Sequence, residues 1–376
     1  MKAIHVYNQS MVFDIRTRRY AQALVGFYPT AEVLLLGQQP GDEKEEEVLS
    51  ADKRSRIVRL KYAAKSNKLW AHLSWLMRVF KYANRQKEVR VISAHSLKVL
   101  PICVLLCLFK SKCVLLYDTH EIETHTTSNS KFIFLLNILE RLCMSMVKMI
   151  IVTSPGHYEW YEKKYNKPVF LIRNTPGLVE APAEKNLELK KTLGLSESDK
   201  LFLYIGMIAK RRGCEVILNS FRNVSPQKHI LFLGYGDYLD ELKEVSKELN
   251  NVHIMDPVPP FDLVRFISGA DVGIHMMDDS NLNHKKALPN KPMQYMAAGL
   301  ASIVSDVEVM SNLIIGAQSG IIVKVGDTQA LQQQIDEITP ESIDEFKAKA
   351  NLWFEQNNWE LESLKLKNIY DNFFEH

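Results

Sequence analysis

The sequence predicts an α/β protein built as two Rossmann-like, doubly wound domains facing each other across a cleft. Three observations predict it. A chain of 376 residues exceeds one ordinary core and suits two domains. In both halves, short apolar runs that end in polar or turn residues alternate with helical patterns, as in parallel sheets covered by helices. Between the halves, NTPGLVEAPAEKN (174–186) carries Pro176, Gly177 and Pro182, the composition of a linker. The expected division is 1–176, 177–355 and a closing helix in 356–376.

In chain order, KAIHVY opens the first domain as an apolar strand, and FDIRTRRYAQALVGF (13–27) spaces its apolar residues as a helix does. EVLLLG, RIVRLKY, VRVISAH, CVLLYD, MIIVTS and VFLIRN follow as strands, each a short apolar run closed by a polar or turn residue. Leu69–Tyr82 and Phe132–Met146 read as helices between them. The second half repeats the scheme with LFLYIG, HILFLG, VHIMD, DVGIHMM, ASIVSD and GIIVKV. LPNKPMQYMAAGL (288–300) leads from a loop into a proline-primed helix of about two turns with an Ala-Ala-Gly exit. NNWELESLKLKNIYDNFF (357–374) is the closing helix, able to pack on either domain.

Hydrophobic content of 46% and charged content of 24% are those of a globular chain and exclude disorder. The net charge of +3 hides an asymmetry: residues 1–176 hold 27 Lys plus Arg against 15 Asp plus Glu, and the remainder 20 against 29. The basic first half favours an anionic partner such as a phosphorylated substrate, an acidic membrane face or nucleic acid. Cys103, Cys107, Cys113, Cys143 and Cys214 show no metal spacing and lie mostly in apolar runs, so reduced thiols and a cytoplasmic setting are expected. MKAIHVYNQS lacks the apolar core of a signal peptide, and the longest apolar run, VLPICVLLCLF (99–109), is about half a bilayer span. From Lys53 to Arg90, twelve Lys plus Arg interleave with Leu69, Trp70, Leu73, Trp75, Leu76 and Phe80. That pattern suits a helix on an anionic membrane surface, or an amphipathic helix packing on the first sheet.

Ligands of such domains bind at the C-terminal ends of the strands. Three stretches therefore stand out. MIAKRRG sets Lys210, Arg211 and Arg212 before Gly213 and a helix start, a diphosphate-sized cluster of cations. LYDTHE ends a first-domain strand with Asp118, His120 and Glu121 at its rim. The helix beginning at Asn290 offers free N–H groups beside Lys291, with Gln294 leaning over them. Asp278 and Asp279 read as solvated loop acids, and no metal site is expected.

YDTHE, DIRTRRYAQAL (14–24), YIGMIAKRRG and LPNKPMQYMAAGLASIVSD, in that order and spacing over nearly the whole chain, resemble the retaining glycosyltransferases of family 4, which have the GT-B fold. The resemblance implies transfer of a sugar from a nucleoside-diphosphate sugar to a glycan or lipid-linked acceptor, without a metal or other cofactor. Nucleic acid is not an expected partner. It implies catalytic roles for His120, near the transferred sugar, and for Arg212, on the diphosphate, with Lys210 a lesser clamp. Val258 falls where the family's backbone reads the nucleobase. Gln294 matches the second glutamate of the family signature, on the ribose, and Lys286 stands where the first would be. Asn290 and Lys291 complete the donor set, and Asp14, Arg16 and Arg18 are acceptor-side candidates. Cell-surface polysaccharide assembly at the inner membrane face, lipopolysaccharide included, is the implied setting. Two other readings remain open: a catalytically degenerate GT-B partner protein that binds nucleotide or glycan, and a nicotinamide-dependent oxidoreductase. The latter has only LGYGDYLDEL, which lacks the third glycine of its fingerprint.

Overall fold

The computed structural model describes residues 1–39, 41, 44–63, 67–126 and 129–374, and resolves into two compact units. The first comprises Met1–Arg173 with Glu362–His376, and the second Asn174–Leu361. The chain therefore passes between them twice.

The first unit contains β1 (Lys2–Val6), α1 (Ile15–Phe27), β2 (Glu32–Gln39), β3 (Glu46–Val48), β4 (Ser55–Lys61), α2 (Lys68–Asn84), β5 (Val89–Ala94), α3 (Leu100–Leu108), β6 (Val114–Thr119), α4 (Ser130–Met144), β7 (Val147–Val152), α5 (Pro155–Lys164) and β8 (Val169–Leu171). Its strands order as β3-β4-β2-β1-β5-β6-β7-β8, with every pair parallel except β3 with β4. Because β1, β5 and β6 are neighbours, their C-terminal ends open on one edge, and the His95 N–H bonds the Val6 carbonyl there (2.9 Å). Asp14 caps α1 by accepting from the Arg16 and Thr17 N–H groups.

The amphipathic segment Lys68–Asn84 forms α2 and divides its tryptophans. Trp75 is fully buried and donates to the Gly37 carbonyl (3.1 Å), whereas Trp70 is 70% exposed. Trp75 is thus a core residue on the sheet, and only Trp70 remains for a surface role; Lys65 lies outside the described residues. The apolar run 99–109 is mostly α3. Among the described residues no helix is long and apolar enough to cross a membrane.

The second unit contains α6 (Glu188–Thr192), β9 (Lys200–Met207), α7 (Cys214–Ser220), β10 (Lys228–Tyr235), α8 (Leu239–Ser246), β11 (Val252–Met255), α9 (Leu263–Ile267), β12 (Val272–His275), α10 (Leu282–Lys286), α11 (Asn290–Ala297), β13 (Ala301–Ser305), α12 (Glu308–Ala317), β14 (Gly320–Val323), α13 (Thr328–Glu337) and α14 (Pro340–Glu355). The strand order is β11-β10-β9-β12-β13-β14, all parallel. The two-residue period of β9 sends Phe202 and Tyr204 into one apolar cluster and Leu201, Leu203 and Ile205 into the other, so both faces are covered. The last helix, α15 (Trp359–Phe374), starts in the second unit and ends in the first. There, Glu362 accepts from the Arg173 backbone N–H (2.9 Å), and Tyr28 donates to Asp371 (2.7 Å).

At the N-terminal end of the second sheet, buried Asp271 gathers Lys190 (2.7 Å), Lys347 (2.9 Å) and Lys185 (3.5 Å), and accepts from the Leu201 N–H (3.0 Å). Burial alone would raise its carboxyl; the lysines and the N–H outweigh that, and the net shift is downward. A carboxylate with a depressed folded value contributes stability present above its unfolded value, about 3.9, and lost as the pH falls toward the folded one. Asp271→Asn should lower stability by about 3 kcal/mol, because it strands lysines against a buried site. Denaturant unfolding at neutral pH checks this, and nucleotide affinity should not move, since Asp271 lies at the edge away from the strand ends that carry the candidate site.

Candidate functional site

The C-terminal edge of the second sheet carries most of the residues singled out by sequence. The loop after β9 places Lys210–Arg212 in a 3-10 turn, and Gly213 follows with φ 77°. A Cβ at Gly213 would lie 2.4 Å from the Met276 carbonyl oxygen, so only glycine lets this loop close against the end of β12. Lys210 turns to Glu241 (2.9 Å) and Lys286, at the end of α10, to Glu308 (3.3 Å). Val258 follows β11 and is partly buried against the apolar cluster beneath the sheet. Asp278 accepts from the Ser280 hydroxyl and pairs with His284, and Asp279 faces Lys285 at 3.7 Å, so both acids serve their own loop.

Arg212 and Lys291 differ from these. Among the described residues neither has an ion pair. Lys291 stands over the Tyr204 ring, with Nζ 5.4 Å from its centroid, and Cε would be 3.1 Å from a Cβ at Gly206. Desolvation, then the charge of Arg212, pulls its ammonium down to about 8. Beside them His275 is buried, and neither ring nitrogen has a hydrogen-bond partner among the described residues. Burial, then Lys291 and Arg212, hold it neutral.

α11 begins at Asn290, after Pro289, with no side chain capping its first turn among the described residues. Of the four leading positions, Pro289 and Pro292 have no N–H. Asn290 and Lys291 therefore supply the free first-turn donors, on the turn that also carries the Lys291 ammonium. Gln294, partly exposed, follows four residues after Asn290 and three after Lys291, on the same helix face.

The first unit holds a different cluster. Arg16 on α1 donates to both oxygens of buried Asp118 (3.0 and 3.3 Å) and to the Ile172 carbonyl (2.8 Å). Burial pushes the Asp118 carboxyl up, but Arg16, then His95 and His120, bring it below its ordinary value. A line of rings runs past it: Tyr370 Oη to His5 Nε2 (3.4 Å), His5 Nδ1 to His95 Nε2 (2.8 Å) and His95 Nδ1 to His120 Nε2 (3.2 Å). Desolvation, partly offset by Asp118, lowers His95 to about 3 and His120 to about 4, so both are neutral at physiological pH.

A chain of neutral imidazoles has one proton between each pair, and its direction follows from the terminal group. The phenol of Tyr370, kept protonated by burial, is a better donor than imidazole is to it. The tautomers assigned from this network run Tyr370 to His5 to His95 to His120, which leaves His120 with its N–H on Nδ1. The sequence singles out His120 at a strand end and says nothing of His5 and His95. The available signal was three histidines at the ends of strands that prove adjacent.

Donor atoms of His95, Asp118 and His120 all lie within 4.8 Å, close enough to hold a metal ion. Arg16 already supplies positive charge to Asp118, and the facing nitrogens of His95 and His120 bond each other, so the arrangement is complete as a hydrogen-bonded network. Nearby, Glu123 accepts from the Ser96 hydroxyl (2.9 Å) and the Leu97 N–H (2.5 Å), and burial raises its carboxyl to about 7 despite them. Of the acceptor-side candidates, Asp14 is the α1 cap, Arg16 holds Asp118, and Arg18 forks onto Glu47 (2.6 and 2.8 Å), which Arg59 also holds.

Two parallel-sheet Rossmann-like units, with the candidate residues at C-terminal strand edges, define the GT-B class. The chain has that fold, and residues 185–355, within the second unit, match the family described as glycosyl transferases group 1. Sucrose-phosphate synthase from Thermosynechococcus elongatus superposes with a TM-score of 0.83 at 17% identity, over 100% of this chain and 99% of that one. HepE from Anabaena, in complex with UDP-glucose, gives 0.78 at 13%, over 99% and 100%. An α,α-trehalose-phosphate synthase (UDP-forming) from Burkholderia vietnamiensis gives 0.70 at 11%, over 99% and 100%. No curated protein sequence matches the chain significantly.

Imidazole NMR at pH 6 should find His5, His95 and His120 neutral, with the His120 proton on Nδ1. Because folded values sit below the ordinary 6.5, unfolding takes up protons, and stability should fall as the pH drops from about 6.5 toward 4. An imidazolium signal from any of the three at pH 6 would break the chain.

Proposed function

We propose that the protein is a glycosyltransferase that moves a sugar from a nucleoside-diphosphate sugar to a glycan or lipid-linked acceptor, with retention of anomeric configuration. The observation that supports the donor is the Arg212–Lys291 pair: two cations and two free helix N–H groups at one strand edge, with no carboxylate paired to either cation among the described residues. A diphosphate has the charge and the acceptor oxygens that such a site lacks. UDP and UDP-glucose in the HepE structures favour a nucleotide of this kind. Gln294 then holds the ribose hydroxyls through its carbonyl oxygen, and the backbone at Val258 reads the base.

As the anomeric C–O bond breaks, its electron pair leaves on the diphosphate, where Arg212, Lys291 and the Asn290 N–H stabilise the growing charge. The acceptor oxygen attacks on the face that the diphosphate leaves, and its proton passes to the departing phosphate. In this reading the reaction needs no metal, because protein cations take that charge. His120, presenting Nδ1–H, donates to a hydroxyl of the transferred sugar. Assembly of a cell-surface polysaccharide, lipopolysaccharide included, on the cytoplasmic side of the membrane is the setting that fits a lipid-linked acceptor.

A second reading has one observation in its favour. Lys286 and Gln294 occupy the glutamate positions of the family signature, and Lys286 is tied to Glu308, which suits a degenerate domain that binds nucleotide without turnover. Hydrolysis of the donor sugar in the absence of acceptor would exclude it.

Calorimetry on two variants tests the donor site. Arg212→Ala should weaken nucleoside diphosphate binding by about 1.5 to 3 kcal/mol and leave the bare nucleoside nearly unaffected. Gln294→Ala should weaken both, and less for a 2′,3′-dideoxy analogue. Equal losses of nucleoside and diphosphate with Arg212→Ala would sink the assignment. For His120→Ala, turnover should fall at least tenfold while nucleotide affinity and melting temperature hold; a large stability loss would return it to a structural role.

A further inference from the structure

α2, α3 and α4 pack side by side along the first unit, α2 on α3 and α3 on α4. Their outward side is apolar to a degree a solvated face is not. Trp70, Leu108, Phe109, Phe134, Leu135 and Leu142 are each 61 to 70% exposed. α4 inverts the usual order of burial: its buried residues are Glu140, Cys143 and Met144, while the apolar stretch before them faces out.

Charge on this side has one sign. The three helices carry Lys68, Arg78, Lys81, Lys131 and Arg141, all exposed, against one carboxylate, Glu140, which is buried and paired with Lys164 (2.7 Å). We propose that the α2–α3–α4 face docks the protein on a bilayer surface containing anionic lipid, with Trp70, Phe134 and Leu135 entering the boundary between headgroups and acyl chains. Cations flanking an apolar face match that surface, because their stems lie along the acyl boundary while their heads stay among the phosphates. A second copy of this face does not match it: two-fold pairing would set lysines and arginines against one another with no exposed carboxylate on these helices to answer them.

The docking stands on this face alone and goes beyond the transfer reading, so its failure would leave the donor site untouched. The full chain should co-sediment with phosphatidylcholine vesicles that contain phosphatidylglycerol, and release as salt is added. It should not co-sediment with phosphatidylcholine alone. Phe134→Gln with Leu135→Gln should weaken vesicle binding at least tenfold, and Lys131→Gln with Arg141→Gln should weaken it and flatten its salt dependence. Both variants should keep the thermal melt and the nucleotide affinity of the parent, since the side chains are exposed. Equal binding to neutral vesicles, no binding to either, or self-association that the glutamine variants abolish would each overturn the proposal.

Discussion

Two positive charges at one strand edge, neither answered by a negative one among the described residues, are the constraint around which the second unit is arranged. Lys291 is held over Tyr204 and pressed toward Gly206, and Arg212 is delivered by a loop that only Gly213 lets close on Met276. Desolvation of Lys291, and after it the repulsion between the two cations, costs stability, visible in the depressed ammonium of Lys291. At the far end of the same sheet the charges are answered, because Asp271 draws in three lysines. One edge is thus anchored and the other left electrostatically incomplete, the usual division between scaffold and site.

The first unit solves the opposite problem. Around Asp118 its ionisable groups are satisfied internally: Arg16 neutralises Asp118, and the line from Tyr370 through His5 and His95 ends at His120. Desolvation keeps the imidazoles neutral, so the network carries direction instead of charge. What such a network sets is which nitrogen of His120 carries the proton, the property on which the proposed contact with a sugar hydroxyl rests. The arrangement depends on α15, because Tyr370 is supplied by a helix that starts in the other unit.

Much of this was legible in the chain and some was not, for identifiable reasons. Alternation showed the parallel strands, since runs as short as LFLYIG or MIIVTS, apolar on both faces and separated by helical patterns, suit a sheet covered on both sides, and the prolines around Lys291 marked a short helix. β3 was missed because GDEKEEEV reads as a solvated acidic loop; it pairs antiparallel at an edge, where little burial is needed. α3 could not be told from a buried strand, as LPICVLLCL is apolar all round. Among the candidate site residues, position at a strand end or helix start singled out Arg212, Lys291 and Gln294, and the family resemblance supplied the roles of Arg212 and Gln294. Neither could foresee that Lys210 would be drawn to Glu241 and Lys286 to Glu308, because partner choice depends on how distant loops meet. Trp70 and Trp75 looked alike in sequence; one packs on Gly37 and the other faces out.

The central claim is that Lys291 waits for an anion. Among the common nucleoside diphosphates, the one that binds most tightly should be titrated calorimetrically near pH 8, where Lys291 is about half protonated, in two buffers of different ionisation enthalpy. A bound diphosphate raises the ammonium's pKa, so binding should take up about half a proton per site, and affinity should decline as the pH rises further. Lys291→Met should abolish the uptake. Binding without proton uptake, or uptake that persists in Lys291→Met, would contradict the account.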